Sequence, residues 1–206
     1  MDHVQPASQR AAALPPDFHV YFITWTTYGT WLPGDARGWR KRRRGTQIPQ
    51  PLLEEWCRKQ MTGEAVLLQS HDRETVEDAC REHCRFRGWH LLAVGARTNH
   101  VHVVVGANAA PQTVRDQLKA NCTRRLRAQA VPLNVKRTWT RGGDCEVLDG
   151  DEDVDAAVLY VVEAQDRKGA EYTEDNRARR RADTRTDEDR NRPWRTTPGP
   201  DAGECG

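Results

Sequence analysis

The chain has 206 residues, which is about the size of one domain. Hydrophobic residues make up 37% of it and charged residues 30%, so the apolar side chains are too few for a core along the whole length. No apolar run approaches the ~20 residues that cross a bilayer, and the N-terminus lacks the basic-then-apolar pattern of a signal peptide. The composition therefore excludes a membrane protein and predicts a cytoplasmic one.

Both ends of the chain are poor in aliphatic residues. Residues 1–16 contain three prolines, and residues 170–206 mix arginine with aspartate and glutamate. Such segments cannot bury enough apolar surface to offset the entropy lost on ordering. We therefore predict a disordered N-terminal tail at 1–16, one folded domain at 17–169 and a disordered charged tail at 170–206.

Strand-like and helix-like patterns alternate within that domain. Strands are predicted where β-branched and aromatic residues cluster, and helices where a capping residue or an early proline precedes a longer pattern. In chain order these are a strand at 19–25, helices at 51–60 and 72–86 (the latter capped by Asp72), strands at 89–96 and 99–105, a helix at 111–130, a hairpin at 139–148 around Gly142-Gly143, and a helix at 151–165. The order favours an α+β fold with helices on a mainly antiparallel sheet.

Six cysteines are present, at positions 57, 80, 84, 122, 145 and 205. Without a signal peptide we interpret them as free thiols rather than a disulfide framework. Cys80, His83 and Cys84 could share a helix and bind a metal. They lack a matching second pair of ligands, so buried thiols are the favoured interpretation.

The formal net charge of +2 hides two clusters of basic residues. One lies in a loop punctuated by glycine and proline, and the other along a predicted helix. Two such clusters on a nearly neutral domain indicate binding of a polyanion, although either one alone would also suit a solvated surface. Their members are Arg37, Arg40, Lys41, Arg42, Arg43 and Arg44 in the first and Arg115, Lys119, Arg124, Arg125 and Arg127 in the second.

A His-x-His pattern lies in the strand at 99–105. Strand side chains alternate between faces, so His100 and His102 point to one side while Val101, Val103 and Val105 point to the other, toward the core. Two adjacent imidazoles are poorly explained by packing and well explained by a shared divalent metal ion. The alternative is a pair of histidines on an exposed sheet face.

The last predicted helix carries one tyrosine. Val154, Val158, Val161 and Gln165 fall on one helical stripe, so the amide of Gln165 extends a buried face and needs a partner, which a metal could provide. Tyr160 lies about 120–140° from the centre of that stripe. It can present its hydroxyl to a cleft or simply pack its ring at the border of the core.

These elements together resemble a known family. Asn99-His100-Val101-His102 followed by valines, a basic helix, a predicted hairpin and a helix with one tyrosine is similar to the HUH single-tyrosine transposases, and REP-associated tyrosine transposases are the nearest group. The stretches at 25–35 (WTTYGTWLPGD) and 139–143 (WTRGG) resemble one transposase-like branch. The resemblance covers about residues 17–168.

The resemblance implies a ferredoxin-like antiparallel sheet with helices packed on one face. It implies that His100 and His102 hold Mg²⁺ or Mn²⁺ and that Tyr160 is the nucleophile. The third metal ligand would come from the tyrosine helix, with Gln165 as the candidate and Glu163 as the alternative. Many relatives have Asn-Pro where this chain has Ala164-Gln165. The implied partner is single-stranded DNA, often folded into a hairpin, bound by a homodimer.

The function that follows is metal-dependent cleavage and rejoining of single-stranded DNA through a 5′-phosphotyrosine. The two basic clusters would hold the DNA backbone, and Trp31, Trp39 and Trp139 could stack unpaired bases. One alternative is a catalytically inactive single-strand-binding protein derived from a transposase. Another is a hydrolase that uses metal-bound water and forms no covalent intermediate.

Overall fold

The computed structural model describes residues 14–41, 45–133 and 135–164. The predicted tail at 170–206 and most of the one at 1–16 lie outside the described residues. So do Gln165, Arg42, Arg43 and Arg44 and the side chains of Arg40 and Lys41. Leu14, within the predicted N-terminal tail, is described, and its side chain lies against Gly106.

Ten elements in the described residues make up the fold. In chain order they are β1 (His19–Thr26), β2 (Trp39–Lys41), β3 (Gly45–Gln47), α1 (Pro51–Lys59), α2 (Ser70–Arg87), β4 (His90–Ala96), β5 (His100–Ala107), α3 (Pro111–Ala128), β6 (Asp144–Leu148) and α4 (Asp151–Leu159). The chain of α4 continues as a π-helix over Tyr160–Ala164. None of these helices is long and apolar enough to cross a membrane.

The main sheet has the order β4-β5-β1-β6, and every pairing in it is antiparallel. The predicted α+β fold with an antiparallel sheet is therefore confirmed. A separate two-stranded ribbon, β2 with β3, lies within the first basic segment, where we predicted only loop.

One face of the sheet packs on α2 and α3. Val101, Val103 and Val105 are fully buried there, as their alternation predicted. The helices contribute buried side chains to the same cluster, among them Val76 of α2 and Leu118 of α3. At about 25 cal/mol per Å² of apolar surface removed from water, this cluster is the main stabilising contact between the helices and the sheet.

The last helix packs on the opposite face, so the prediction that helices pack on one face holds for α2 and α3 but not for α4. Val161 is buried against Ala93 and Val104, and Phe22 and Tyr160 pack around them. The reason is that β5 is apolar on both faces toward its end: Val104, on the histidine side, is fully buried. That apolar patch requires a cover, and α4 with its π-helix provides it.

The prediction that Asp72 caps α2 needs correction. The N-cap is Gln69. Asp72 lies three residues later, where its carboxylate accepts the Gln69 N–H at 2.9 Å in a capping box. Gly88, in the left-handed conformation, ends α2.

The predicted hairpin at 139–148 is wrong because both of its arms pair with β1. Trp139 bridges to Thr27, and Asp144 pairs with Thr24. Gly142 and Gly143 therefore form a β-bulge in the segment that pairs along β1, and they are not a hairpin turn. Gly143 has φ of 145°, and a Cβ there would meet the Thr24 carbonyl oxygen at 2.6 Å, so only glycine fits.

The described cysteines are free thiols, as predicted. Cys80, Cys84 and Cys122 lie in the core between α2 and α3. Burial raises the pKa of Cys84 to about 12. Among the described residues, Cys80, His83 and Cys84 do not form a group that could hold a metal ion. His83 instead pairs with Gln117 across the helix interface, at 3.1 Å.

Candidate active site

The two histidines of β5 lie side by side on the face covered by α4. Their ring centroids are 4.7 Å apart. His100 pairs in register with Thr26 and His102 with Thr24, so β1 is the neighbouring strand at the histidine pair. His102 is 6% exposed and stacks on Phe22 with ring centroids 5.4 Å apart, whereas His100 is half-buried.

Each imidazole has a partner at its Nδ1 atom. The Asn99 side-chain oxygen lies 2.7 Å from His100 Nδ1, so this nitrogen carries the proton and Nε2 keeps a lone pair. The Thr24 hydroxyl lies 2.8 Å from His102 Nδ1 and can hold that ring in the same tautomer. Metal-binding histidines are oriented in this way, by donating the other ring N–H to a nearby oxygen.

The charge state of His100 is the one that a metal ligand requires. Burial, followed by the nearby charges of Arg97 and Arg37, lowers the pKa of His100 to about 4. The imidazole is therefore neutral at neutral pH, which is the form that coordinates a metal.

Tyr160 lies where the last helix changes its winding. Its own backbone is α-helical, with φ of -58° and ψ of -44°, and the π-helix runs on from it to Ala164. The phenol ring packs with its centroid 5.3 Å from that of His102 and 6.0 Å from that of Phe22. Single π turns inserted in α-helices occur often at functional sites.

Gly95 makes this approach possible, and the sequence analysis missed it. It lies opposite His102 in the β4–β5 pairing, and a Cβ there would come within 3.2 Å of the side chain and carbonyl oxygen of Val161. A glycine inside a strand pattern is the signal that could have revealed it, since it often marks close approach of another backbone.

Neither predicted third ligand is placed beside the histidines by the described residues. Gln165 lies outside them, and Glu163, the alternative, is exposed. Within the described part of the chain, no group of three or more His, Cys, Asp and Glu side chains could hold a metal ion. The donor set at His100 and His102 nevertheless fits two positions of a divalent centre, because the two rings are adjacent and each is held at Nδ1.

Comparison with known proteins identifies the family. The family model for IS200-like transposases matches residues 57–164, a span that includes both histidines and Tyr160. The chain belongs to the IS200-like transposase family. No curated protein matches its sequence.

Two solved structures are distantly similar to this chain. One is a REP-associated tyrosine transposase bound to a REP hairpin, with 13% identity and a TM-score of 0.42, covering 69% of this chain and 64% of that one. The other is a putative transposase from Deinococcus radiodurans R1, with 16% identity and a TM-score of 0.39, covering 72% of this chain and 91% of that one. The chain therefore spans less than two thirds of the first of these proteins.

The side chains of the second basic cluster lie at different sites on the structure. Arg115, Lys119 and Arg127 line a cleft of about 510 Å³ between α3 and the segment at 136–142. Arg125 instead faces α2, where it pairs with Glu82 at 3.3 Å. Arg124 bonds Asn121 of its own helix.

The same cleft contains three basic residues that the sequence analysis missed: Lys136, Arg137 and Arg141. They flank the buried Trp139. Their position around the 139–143 stretch is the sequence feature that could have indicated a basic surface. With Asp116 the only acidic residue in its lining, the cleft is strongly positive. Such a surface attracts an anionic chain.

Lys119 is held inside this cleft rather than directed to solvent. Its ammonium group donates to the Thr140 carbonyl at 2.7 Å and the Gly142 carbonyl at 2.6 Å. Burial, with the Arg115 charge next, lowers the pKa of Lys119 to about 8. Its main contact is therefore with the glycine segment beside β1.

Arg37 is the member of the first basic cluster whose side chain the structure describes. Arg37 is fixed by Asp35, at 2.8 Å from Nε and 2.6 Å from Nη2, and by the Thr30 carbonyl at 2.8 Å. The loop it belongs to is tied to the site because Thr27 donates its backbone N–H to the Asn99 carbonyl at 2.8 Å.

The three predicted stacking tryptophans differ in exposure. Trp139 is 7% exposed and donates its indole N–H to Lys119 and Thr123, so its ring is part of the core. Trp39 is half-buried, with its N–H on the Ile48 carbonyl. Trp31 is 43% exposed.

Proposed function

We propose that this transposase cleaves and rejoins single-stranded DNA, with Tyr160 as nucleophile and His100 and His102 as metal ligands. The observation that supports the proposal is the meeting of these three side chains within one chain. The phenol packs 5.3 Å from His102, which in turn lies 4.7 Å from His100, measured between ring centroids. Packing alone gives no reason for two imidazoles and a phenol to share one edge of a hydrophobic patch.

The reaction is a transesterification. The Tyr160 oxygen attacks phosphorus, a phosphotyrosine bond forms, and the bond from phosphorus to the 3′-oxygen breaks. The phenol proton leaves to solvent, and the departing 3′-oxygen takes up a proton to become a hydroxyl. Because one phosphodiester replaces another, the reverse attack by a 3′-hydroxyl rejoins a strand without a further energy source.

His100 and His102 would hold Mg²⁺ or Mn²⁺, and Gln165 remains the predicted third ligand. When bound, the ion would reduce the charge on the phosphate oxygens and favour the ionised phenol, whose ordinary pKa is near ~10. The residues of this chain prepare the site for it: Asn99 and Thr24 orient the rings, and Phe22 packs against His102.

One chain brings the phenol and the imidazoles together, which supports action of the tyrosine on the site of its own chain. The homodimer that the resemblance implies remains a prediction. If the tyrosine acts on the site of its own chain, mixing a variant that lacks Tyr160 with one that lacks both histidines restores no activity.

The direct test of the proposed function is to map the covalent adduct. The protein is incubated with circular single-stranded phage DNA and Mn²⁺, the DNA is digested with nuclease, and tryptic peptides are analysed by mass spectrometry. We expect a nucleotide phosphate on Tyr160. Cleavage without any adduct would favour the hydrolase alternative, and DNA binding without cleavage would favour the inactive single-strand-binding protein.

We further propose that the basic cleft beside α3 holds the DNA backbone. Replacing Lys136, Arg137 and Arg141 with glutamine is expected to weaken binding of an oligo-dT strand and to flatten its salt dependence. Each phosphate contact contributes about 0.7 to the slope of log affinity against log salt for single strands, so three lost contacts reduce it by about 2. Fluorescence anisotropy at several salt concentrations measures the slope.

A matched control removes the same charge elsewhere. Glutamine at Arg73, Arg81 and Arg85 of α2 takes three positive charges from outside the cleft. If both triple variants change the slope equally, binding follows net charge, and the cleft has no special role.

A further inference from the structure

An exposed indole and a fixed guanidinium form a stacked pair on the loop that contacts Asn99, the residue before His100. The guanidinium carbon of Arg37 lies over the Trp31 ring, 4.9 Å from its centroid. The Trp31 N–H donates to the Gly38 carbonyl at 2.7 Å, which fixes the plane of the ring. The ring nevertheless remains 43% exposed, so much of an anchored aromatic surface faces solvent.

Arg37 is preorganised by a buried carboxylate. Asp35 is 8% exposed, holds two nitrogens of the guanidinium in a fork and also accepts the backbone N–H of Arg37 at 2.9 Å. The Arg37 hydrogen bond also holds the pKa of Asp35 below its usual value, so the carboxylate stays charged. A core-packing role for Trp31 would not need this arrangement around an exposed ring.

The stacked pair lies close to the proposed site of cleavage. Its loop contacts the Asn99 carbonyl through the hydroxyl of Thr27 at 3.1 Å, and the side chain of Asn99 holds His100. Arg37 itself donates to the Thr30 carbonyl at 2.8 Å, and the Thr30 hydroxyl lies 3.5 Å from the same Asn99 carbonyl.

We propose that Trp31 and Arg37 form a preformed subsite for an unpaired nucleotide next to the cleaved phosphate, with the base stacked on the indole. This inference rests on the proposed function for the nature of the ligand. Planar bases stack on exposed aromatic rings whatever their sequence, and the guanidinium adds a cation beside the same nucleotide's phosphate. Asp35 acts as the positioning residue, because it holds the guanidinium against the ring.

The test compares two strands with the same number of phosphates: an oligo-dT of about 15 nucleotides and an abasic strand of equal length. Binding is measured without metal and in a Tyr160→Phe background, so the result does not depend on cleavage. Trp31→Ala is expected to weaken binding of oligo-dT by about tenfold, the usual scale for one lost stack, and to leave binding of the abasic strand unchanged.

Three further variants make the result specific. Trp31→Phe keeps an aromatic ring and is expected to recover most of the affinity for oligo-dT. Trp56→Ala removes an indole that is 59% exposed on α1 and is expected to change neither affinity. Asp35→Asn should lower affinity for oligo-dT, because the guanidinium loses its charged anchor.

The proposal is overturned if Trp31→Ala weakens binding of both strands equally, or of neither. Equal loss would mean that the residue only shapes a charged loop. If Trp31→Ala unfolds the protein, Trp31→Phe decides the matter by comparison of the two strands. Failure of Tyr160 to form an adduct would refute the proposed chemistry but not this binding result.

Discussion

Replacing Tyr160 with phenylalanine is expected to abolish the covalent protein–DNA adduct and to lower strand cleavage by at least about 10³-fold. The substitution removes the only atom of the side chain that can attack phosphorus, and no rearrangement of the ring can replace it. The ring contacts with His102 and Phe22 are kept, so stability should change by no more than about 1 kcal/mol. Gel separation of labelled adducts measures the first effect and thermal unfolding the second.

Tyr28→Phe is the matched control for the loss of a phenolic hydroxyl. The Tyr28 oxygen accepts the backbone N–H of Thr62 at 3.0 Å, and the Tyr28 side chain packs against the core cluster under α2 and α3 rather than on the histidines. Adduct formation should be unaffected in this variant. Adducts that persist at normal yield in Tyr160→Phe would remove Tyr160 from the role proposed for it.

Replacing His102 with alanine is expected to have the second large effect, loss of Mn²⁺ binding together with cleavage. Disturbing even the outer partners of a metal ligand typically costs 10–100-fold in affinity, so removal of a ligand should cost at least about 100-fold. Calorimetric titration of Mn²⁺ into the purified protein measures the affinity independently of any DNA.

Stability must be followed in the same variant, because His102 is buried and stacked on Phe22. A loss of about 1–3 kcal/mol is expected from the emptied space and the unpaired Thr24 hydroxyl. His90→Ala, on the exposed side of β4, is the control for removal of an imidazole from the sheet. Full Mn²⁺ affinity in a folded His102→Ala protein would contradict the proposed metal site.

The candidate site was partly predictable from sequence because the alternation of a strand is local. His-x-His in a strand puts two imidazoles on one face whatever the rest of the fold does, and the valines between and after them turn to the core. The family match over residues 57–164 agrees with the resemblance noted from the same residues. Gln165 stays a prediction, since it lies outside the described residues.

Other features could not be read from the sequence because they depend on packing between distant segments. Periodicity predicted that Tyr160 lies to one side of the α4 stripe, but its contact with His102 depends on how the last helix packs on the sheet, where Gly95 lets Val161 approach closely. The sequence Gly142-Gly143 is typical of a hairpin turn, yet the segments before and after it both pair along β1 and its end.

The sequence by itself determined the alternation of faces along β5, the basic character of α3 and the residue types available for the chemistry, since these follow from neighbouring residues and backbone sterics. The tertiary structure decided which face α4 covers, which basic residues share a cleft and which tryptophan remains open to solvent. These depend on the burial of apolar surface across the whole sheet, where Val104 required a cover on the histidine side and Trp139 was taken into the core.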